Sequence, residues 1–174
     1  MDTERLDNVK LNLGGGSDRI VGYLNVDILP LPGVDIVCDL QKGIPLRANT
    51  VIAVWGSHFI EHIPDTVAMM EEIYRVCKPD AIVEFKLPYF LSTSAFKDPT
   101  HVKFLNERTW EYFDKRYVEK GALPDYGLKC DFRVEKLTYI WYNRWYKFLP
   151  FRTFFMRHFF NIAKTMYVKL RVMK

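Results

Sequence analysis

Short apolar runs rich in β-branched residues recur through the first 90 residues, interrupted once by a segment of helical periodicity. In a chain of 174 residues that alternation points to parallel strands, because a parallel neighbour needs a crossover that a tight hairpin cannot supply. Val9–Leu13 reads as a buried strand ending in glycines, with further strands expected at residues 22–28, 34–39 and 50–55. Asp65 follows Pro64 in the manner of a helix start. Val67, Met70, Ile73, Tyr74 and Cys77 then repeat at helical spacing, and Pro79 is expected to end the helix. Residues 81–87 form a fifth strand closed by Pro88, residues 89–127 are loop-rich, and residues 132–142 alternate as a late, antiparallel strand. The expected fold is α/β: a doubly wound, mostly parallel sheet with helices on both faces and an antiparallel late strand.

The turn after the first strand carries three consecutive glycines, Gly14, Gly15 and Gly16, which let the backbone bend sharply and approach a ligand closely. A dinucleotide fingerprint beginning at Gly14 needs a third glycine where Arg19 stands, and no G-K-[ST] follows, so neither a Rossmann fingerprint nor a Walker loop is present. The turn suits a nucleoside-bearing ligand without a pyrophosphate. Asp27 closes the second strand, where a carboxylate can accept both hydroxyls of a ribose, and Asp39 closes the third, where it can meet an exocyclic amine. Ligands of open α/β sheets lie outside these carboxyl ends.

Ser57-His58-Phe59-Ile60-Glu61-His62 leaves the fourth strand. His58 and His62 match an inverted zincin pattern, but that chemistry asks for both histidines on one helix face. Pro64 leaves about one turn, so no metal site is expected here. His62 reads instead as a group at the crevice edge that orients a substrate or takes a proton near neutral pH, or as one that caps the next helix. His101, in Asp98-Pro99-Thr100-His101, is the second candidate base, with Tyr89, Phe90 and Phe96 nearby as an apolar wall.

Taken in order, residues 11–16, 22–27, 38–40, 57–62, 72–79 and 98–101 resemble the class I S-adenosylmethionine-dependent methyltransferases, in particular a small bacterial type-11-like group. The resemblance spans about Val9 to Phe113 and implies a Rossmann-like fold and S-adenosyl-L-methionine as cofactor, with no metal. It further implies that Gly14–Gly16 hold the methionine part, that Asp27 binds the ribose, and that Asp39 and Leu40 flank the adenine. Ser57 and His58 would line the cleft near the sulfonium. Two departures stand out: Asn12 occupies a position often acidic in the broader family, and only ten residues separate Gly16 from Asp27, so the first helix must be short or absent.

Charge divides the chain. Residues 136–174 hold nine Lys and Arg and no acid, while the preceding 135 residues are net acidic. Of the 27 Phe, Trp and Tyr residues, 12 lie between Tyr139 and Tyr167. Residues 1–145 read as the methyltransferase-like domain. Residues 146–174 read as a basic, aromatic helical extension, with Phe151, Phe155, Ile162, Met166 and Leu170 on one face. Such a helix suits an anionic membrane surface or docking on the domain; nucleic acid is disfavoured because the body is acidic.

Three cysteines without a C-x-x-C pair argue against a disulfide framework, and the charged start has no apolar segment of a signal peptide. The expected location is the cytoplasm, with peripheral contact at the inner face of the membrane. The expected function is methyl transfer to a small-molecule, sugar, glycan or lipid-linked acceptor, most simply at a hydroxyl. The alternatives are an inactive cofactor-binding adaptor and an RNA-directed methyltransferase. Oligomeric state is not legible.

Overall fold

The computed structural model describes residues 6–174. Strands β1 (Val9–Leu13), β2 (Leu24–Asp27), β3 (Ile36–Val37), β4 (Val51–Ser57), β5 (Cys77–Pro88), β6 (Phe132–Trp141) and β7 (Ala163–Val172) form one sheet in the order β3-β2-β1-β4-β5-β7-β6. The first five run parallel, and β7 lies antiparallel to both β5 and β6. This is the expected Rossmann-like sheet with its antiparallel late strands.

Helix α1 (Thr66–Val76) crosses from β4 to β5. The Asp65 carboxylate accepts from the Ala68 amide at 2.9 Å, satisfying one of the free donors of the first turn. Its buried stripe is Thr66, Met69, Met70, Ile73 and Val76, whereas Val67, expected on the apolar face, is 41% exposed. The helix also ends before Pro79. Lys78, which precedes the proline, is driven out of the α region, and the chain is extended from Cys77, which opens β5. The pairing with β4 then shifts between Val51↔Cys77 and Ala53↔Ile82, and Pro79 sits in that irregularity, where no ladder hydrogen bond is asked of it.

The largest departure lies at the C-terminal end. The helix expected from Phe151 runs only over α4 (Arg152–His158), and residues 163–172 are a strand inserted between β5 and β6. Ile162, Met166 and Leu170 are spaced by four, a separation that suits a helix face and a strand face equally. Val168 and Val172 break the tie: with Met166 and Leu170 they form a buried row that alternates with half-exposed Tyr167, Lys169 and Arg171. The partners that reward this strand, β5 and β6, are far away in sequence.

The core lies on the face of the sheet that carries Leu11, Leu13, Val54, Val83, Phe85, Leu87, Val168 and Leu170, all buried. Trp110, from the 3-10 turn Glu107–Phe113, stacks on Phe85 with centroids 5.7 Å apart, a geometry aromatic pairs favour. Short helices α2 (Thr93–Phe96) and α3 (Lys115–Glu119) complete the middle of the chain. The β1–β2 and β2–β3 links contain no helix. The first of these follows from the ten-residue spacing, and it removes the helix N-terminus that normally backs a glycine turn.

Candidate active site

The carboxyl ends of β1, β2 and β4 meet where the strand order reverses, the topological switch point at which open α/β sheets bind ligands. With no helix behind it, the glycine turn is held by a buried pair of asparagines. Asn12 donates from Nδ2 to the Asp18 carbonyl at 2.8 Å and to Asn25 Oδ1 at 2.9 Å. Asn25 in turn donates to the Gly16 carbonyl at 2.8 Å and the Gly33 carbonyl at 3.1 Å. Both side chains are buried, so every donor is spent on fixing the loop. Gly15 belongs to this arrangement: a Cβ there would stand 1.9 Å from Asn25 Oδ1. Gly14 has φ of +63°, and a Cβ on it would meet the Phe59 ring at 2.7 Å.

Next to the turn is a cleft of about 620 Å³ lined by Gly14, Asp27, Asp39, Leu40, His58 and His62, with Ile28, Leu29 and Phe59 as apolar wall. Of the residues expected to hold a cofactor, Gly14, Asp27, Asp39, Leu40 and His58 therefore come together. Gly15 and Gly16 shape the turn without lining the cleft, and Ser57, the last residue of β4, lies outside it, in register with Lys86. Asp27 accepts from the Gly16 amide at 2.8 Å and the Leu29 amide at 3.0 Å, one on each oxygen, so each keeps acceptor capacity toward the cleft. Asp39 accepts from the Gln41 amide at 3.1 Å and caps the 3-10 turn Leu40–Lys42. Ile28 and Leu29 carry no motif that sequence reasoning could have used, and Phe59 was named only as a member of the Ser57–His62 stretch.

A second cleft of about 410 Å³ shares His58 and His62 with the first and continues past Lys86, Lys97, Asp98, His101 and Lys164. Among the described residues, none of these three lysines pairs with a carboxylate. His62 and His101 meet edge to face, with ring centroids 4.7 Å apart. They are joined by backbone pairing, since the Val102 and Lys103 amides both donate to the Glu61 carbonyl, at 3.0 and 3.1 Å. The Thr100 hydroxyl and amide donate to Asp98, holding its carboxyl below the usual range. Glu61, which sequence reasoning passed over, is buried beneath both histidines, with its Oε1 3.1 Å from His58 Nδ1.

Beside this second cleft projects the β6–β7 connection, residues 142–162. Tyr142 is anchored to Ser94, and Asn161 accepts from the Thr93 amide at 2.8 Å. Trp145, Phe148, Phe151, Phe154, Phe159 and Phe160 are all at least half exposed. Arg144 lies over the Trp145 ring and Lys147 over the Phe148 ring.

The donor set of the first cleft fits a nucleoside: carboxylates at two strand ends for hydroxyls and an amine, an apolar wall for a base, and a turn in which a side chain would fill the approach. Comparison with known proteins agrees. Residues 11–85 match the family model described as a methyltransferase domain. Among solved structures, the YcgJ protein of Bacillus subtilis is 13% identical with a TM-score of 0.59, over 98% of this chain and 94% of that one. A SAM-dependent methyltransferase of Archaeoglobus fulgidus is 16% identical with a TM-score of 0.57, over 97% and 87%. One from Aquifex aeolicus is 15% identical with a TM-score of 0.55, over 96% and 84%. At these identities the solved structures speak for the fold. No curated protein matches the sequence. Residues 11–85 thus match a methyltransferase-domain family model, and the fold of the chain is that of S-adenosylmethionine-dependent methyltransferases of known structure.

Proposed function

We propose that the chain methylates a hydroxyl group on an anionic acceptor borne by a membrane, a lipid-linked sugar or glycan intermediate being the simplest chemistry of that kind. The observation that carries this reading is the second cleft. It shares His58 and His62 with the nucleoside cleft, is lined by three lysines that have no carboxylate partner among the described residues, and opens beside the aromatic β6–β7 connection.

S-adenosylmethionine, held by Asp27, Asp39, Leu40 and the turn at Gly14, supplies an electrophilic methyl group. The protein's own part is to align the acceptor and exclude water. Lys86, Lys97 and Lys164 suit a phosphate or carboxylate of the acceptor. His62 and His101 line the same cleft as these lysines, beside the nucleoside cleft, so the acceptor hydroxyl and its proton are read as meeting this pair. Exposed Trp and Phe side chains interleaved with Arg144, Lys147 and Arg152 suit the interface of an anionic bilayer, where rings enter the headgroup region and cations meet lipid phosphates. No helix among the described residues is long and apolar enough to cross a membrane.

Calorimetry with S-adenosylmethionine, followed by turnover to S-adenosylhomocysteine with fractionated cell extract, tests the reading. Binding to the wild type with at least tenfold loss in Asp27→Ala is expected, since hydrogen bonds to a charged group are worth about 1.5–3 kcal/mol. Turnover is expected with the lipid fraction, and flotation with vesicles containing phosphatidylglycerol but not with phosphatidylcholine alone. Turnover confined to the soluble fraction overturns the acceptor, and cofactor binding without turnover on any fraction makes the chain an adaptor.

A further inference from the structure

We propose that Glu61, His62 and His101 bind one divalent transition-metal ion at the junction of the two clefts. Three independent features of the site point to it. The Glu61 side chain is 1% exposed, and its Oε2 has no hydrogen-bond partner among the described residues. A carboxylate buried with one oxygen unanswered is costly unless a cation or donor meets it.

Both imidazoles are also oriented as metal ligands. His101 Nδ1 is 2.8 Å from the Ala95 carbonyl, and His62 Nδ1 is 3.2 Å from the Thr100 carbonyl. With Nδ1 protonated, His101 donates to the Ala95 carbonyl and His62 to the Thr100 hydroxyl oxygen, 3.0 Å away, and to the Thr100 carbonyl; each Nε2 then carries a free lone pair, the outer-shell arrangement that fixes tautomer and ring direction in metal sites. A shared proton does not explain the convergence, because His101 Nε2 lies 4.0 Å from Glu61 Oε1, beyond hydrogen-bond range.

The third feature is distance. One ligand atom from each residue lies within 4.8 Å of the others. Ligands about 2.0–2.2 Å from a zinc-sized ion stand roughly 3–3.5 Å apart, so closure shortens the widest separation by roughly 1.3–1.8 Å. His58, the partner that the sequence pattern offered, is not part of the set. Its φ of +53° and 46% side-chain exposure turn it to the cleft, where Nδ1 steadies the Glu61 carboxylate from behind.

Two imidazoles and a carboxylate select a borderline ion such as Zn²⁺, Mn²⁺ or Fe²⁺ over Mg²⁺, and they leave coordination positions open. Taken with the acceptor reading above, on which this step rests, an open position faces the acceptor hydroxyl. The ion lowers the pKa of that hydroxyl. The O–H bond breaks and the proton leaves to solvent; the oxygen pair then forms the bond to the methyl carbon, while the carbon–sulfur pair returns to sulfur. The products are a methyl ether, a neutral thioether and one proton. His62 and His101 are then ligands and not bases.

Titrating Co²⁺ into chelator-stripped protein, followed by visible absorption and competed with Zn²⁺, is the test. One Co²⁺ per chain is expected, with bands far more intense than those of the aqueous ion. Glu61→Gln, His62→Gln and His101→Ala should each weaken binding at least tenfold, and His158→Ala, outside both clefts, should not. His62 is half-buried and outside the core, so its variant decides the matter if the Glu61 variant does not fold. Absence of stoichiometric Co²⁺ binding to the wild type, or equal binding by His62→Gln, overturns the proposal. S-adenosylmethionine affinity of the untreated wild type is read separately: its absence would refute the methyltransferase reading while leaving the Co²⁺ result standing.

Discussion

Replacing Asn12 by aspartate tests whether the asparagine pair does the task of the missing helix. Carboxylates are frequent at this position in the broader family, yet the geometry here rejects one. Asn12 is 3% exposed, and its Nδ2 makes two hydrogen bonds, to the Asp18 carbonyl and to Asn25 Oδ1. A carboxylate in its place would donate neither and would face two acceptors. Rotating the Asn25 amide to meet it would aim Oδ1 at the carbonyls of Gly16 and Gly33, so the loss only moves. Two lost bonds at about 1 kcal/mol each, with a penalty of about 1 kcal/mol for unanswered buried acceptors, give about 3 kcal/mol. For a chain of this size each kcal/mol shifts Tm by about 2–4 °C, so a fall of about 6–12 °C is expected near neutral pH. Burial would raise the new carboxyl above its unfolded value, so its neutral form is favoured in the fold. The penalty is therefore smallest in acid and grows as pH rises from about 4 through the folded pKa. Differential scanning fluorimetry from about pH 4.5 to 8 reads both effects. A variant melting within about 2 °C of wild type at pH 8, or one whose deficit shrinks as pH rises, refutes the account.

Three further outcomes follow from other regions. Burial pushes the Cys77 and Cys130 thiols up to about 12, so under native conditions at pH 8 a disulfide reagent should modify Cys38 alone, slowly, and all three cysteines only in denaturant. Reaction of all three at one rate would show that the core opens. The hydrogen bond from Arg75 holds the Glu72 carboxyl below its ordinary value, and that contribution is present above about pH 4.5 and lost as pH falls through the folded pKa. Glu72→Gln should accordingly lower stability at pH 7 and flatten the acid limb of the Tm profile; an unchanged limb would dismiss the pair as a determinant. Ending the chain at Asn161 should abolish cooperative unfolding by circular dichroism, because it removes the strand between β5 and β6; a cooperative transition would return residues 163–172 to the status of an appendage.

What could be read from the sequence follows the range of the interactions. β1, the Asp65 cap and the alternating pattern of β6 depend on near neighbours, and each emerges at or close to its expected place. The glycine turn and its acids were legible because steric and strand-end arguments are local too. β7 was not, since Met166 and Leu170 suit two periodicities and only contact with β5 and β6 chooses between them. The convergence on Glu61 was hidden for a related reason. Spacing paired His58 with His62, whereas the backbone joins residue 61 to residues 102 and 103, a match no period encodes. Asn12 looked like a departure from a pattern, and its role depends on Asn25, thirteen residues on.

The place of β7 also bears on how the chain reaches its fold as it is made. During synthesis, β5 and β6 emerge with facing edges that cannot satisfy each other, because the strand that joins them is made last of the seven. Until residues 163–172 are free, the nascent sheet ends at β5, with Val83, Phe85 and Leu87 beside a ladder of unpaired amides and carbonyls, and β6 has no neighbour. Exposed edges of that kind recruit other chains. The basic and aromatic connection of residues 142–162 comes out just before the strand that closes the gap. The β5 edge thus stays open from residue 88 until residue 163 is made, and the positive charge of residues 142–162 joins the nascent chain only in the last part of that interval.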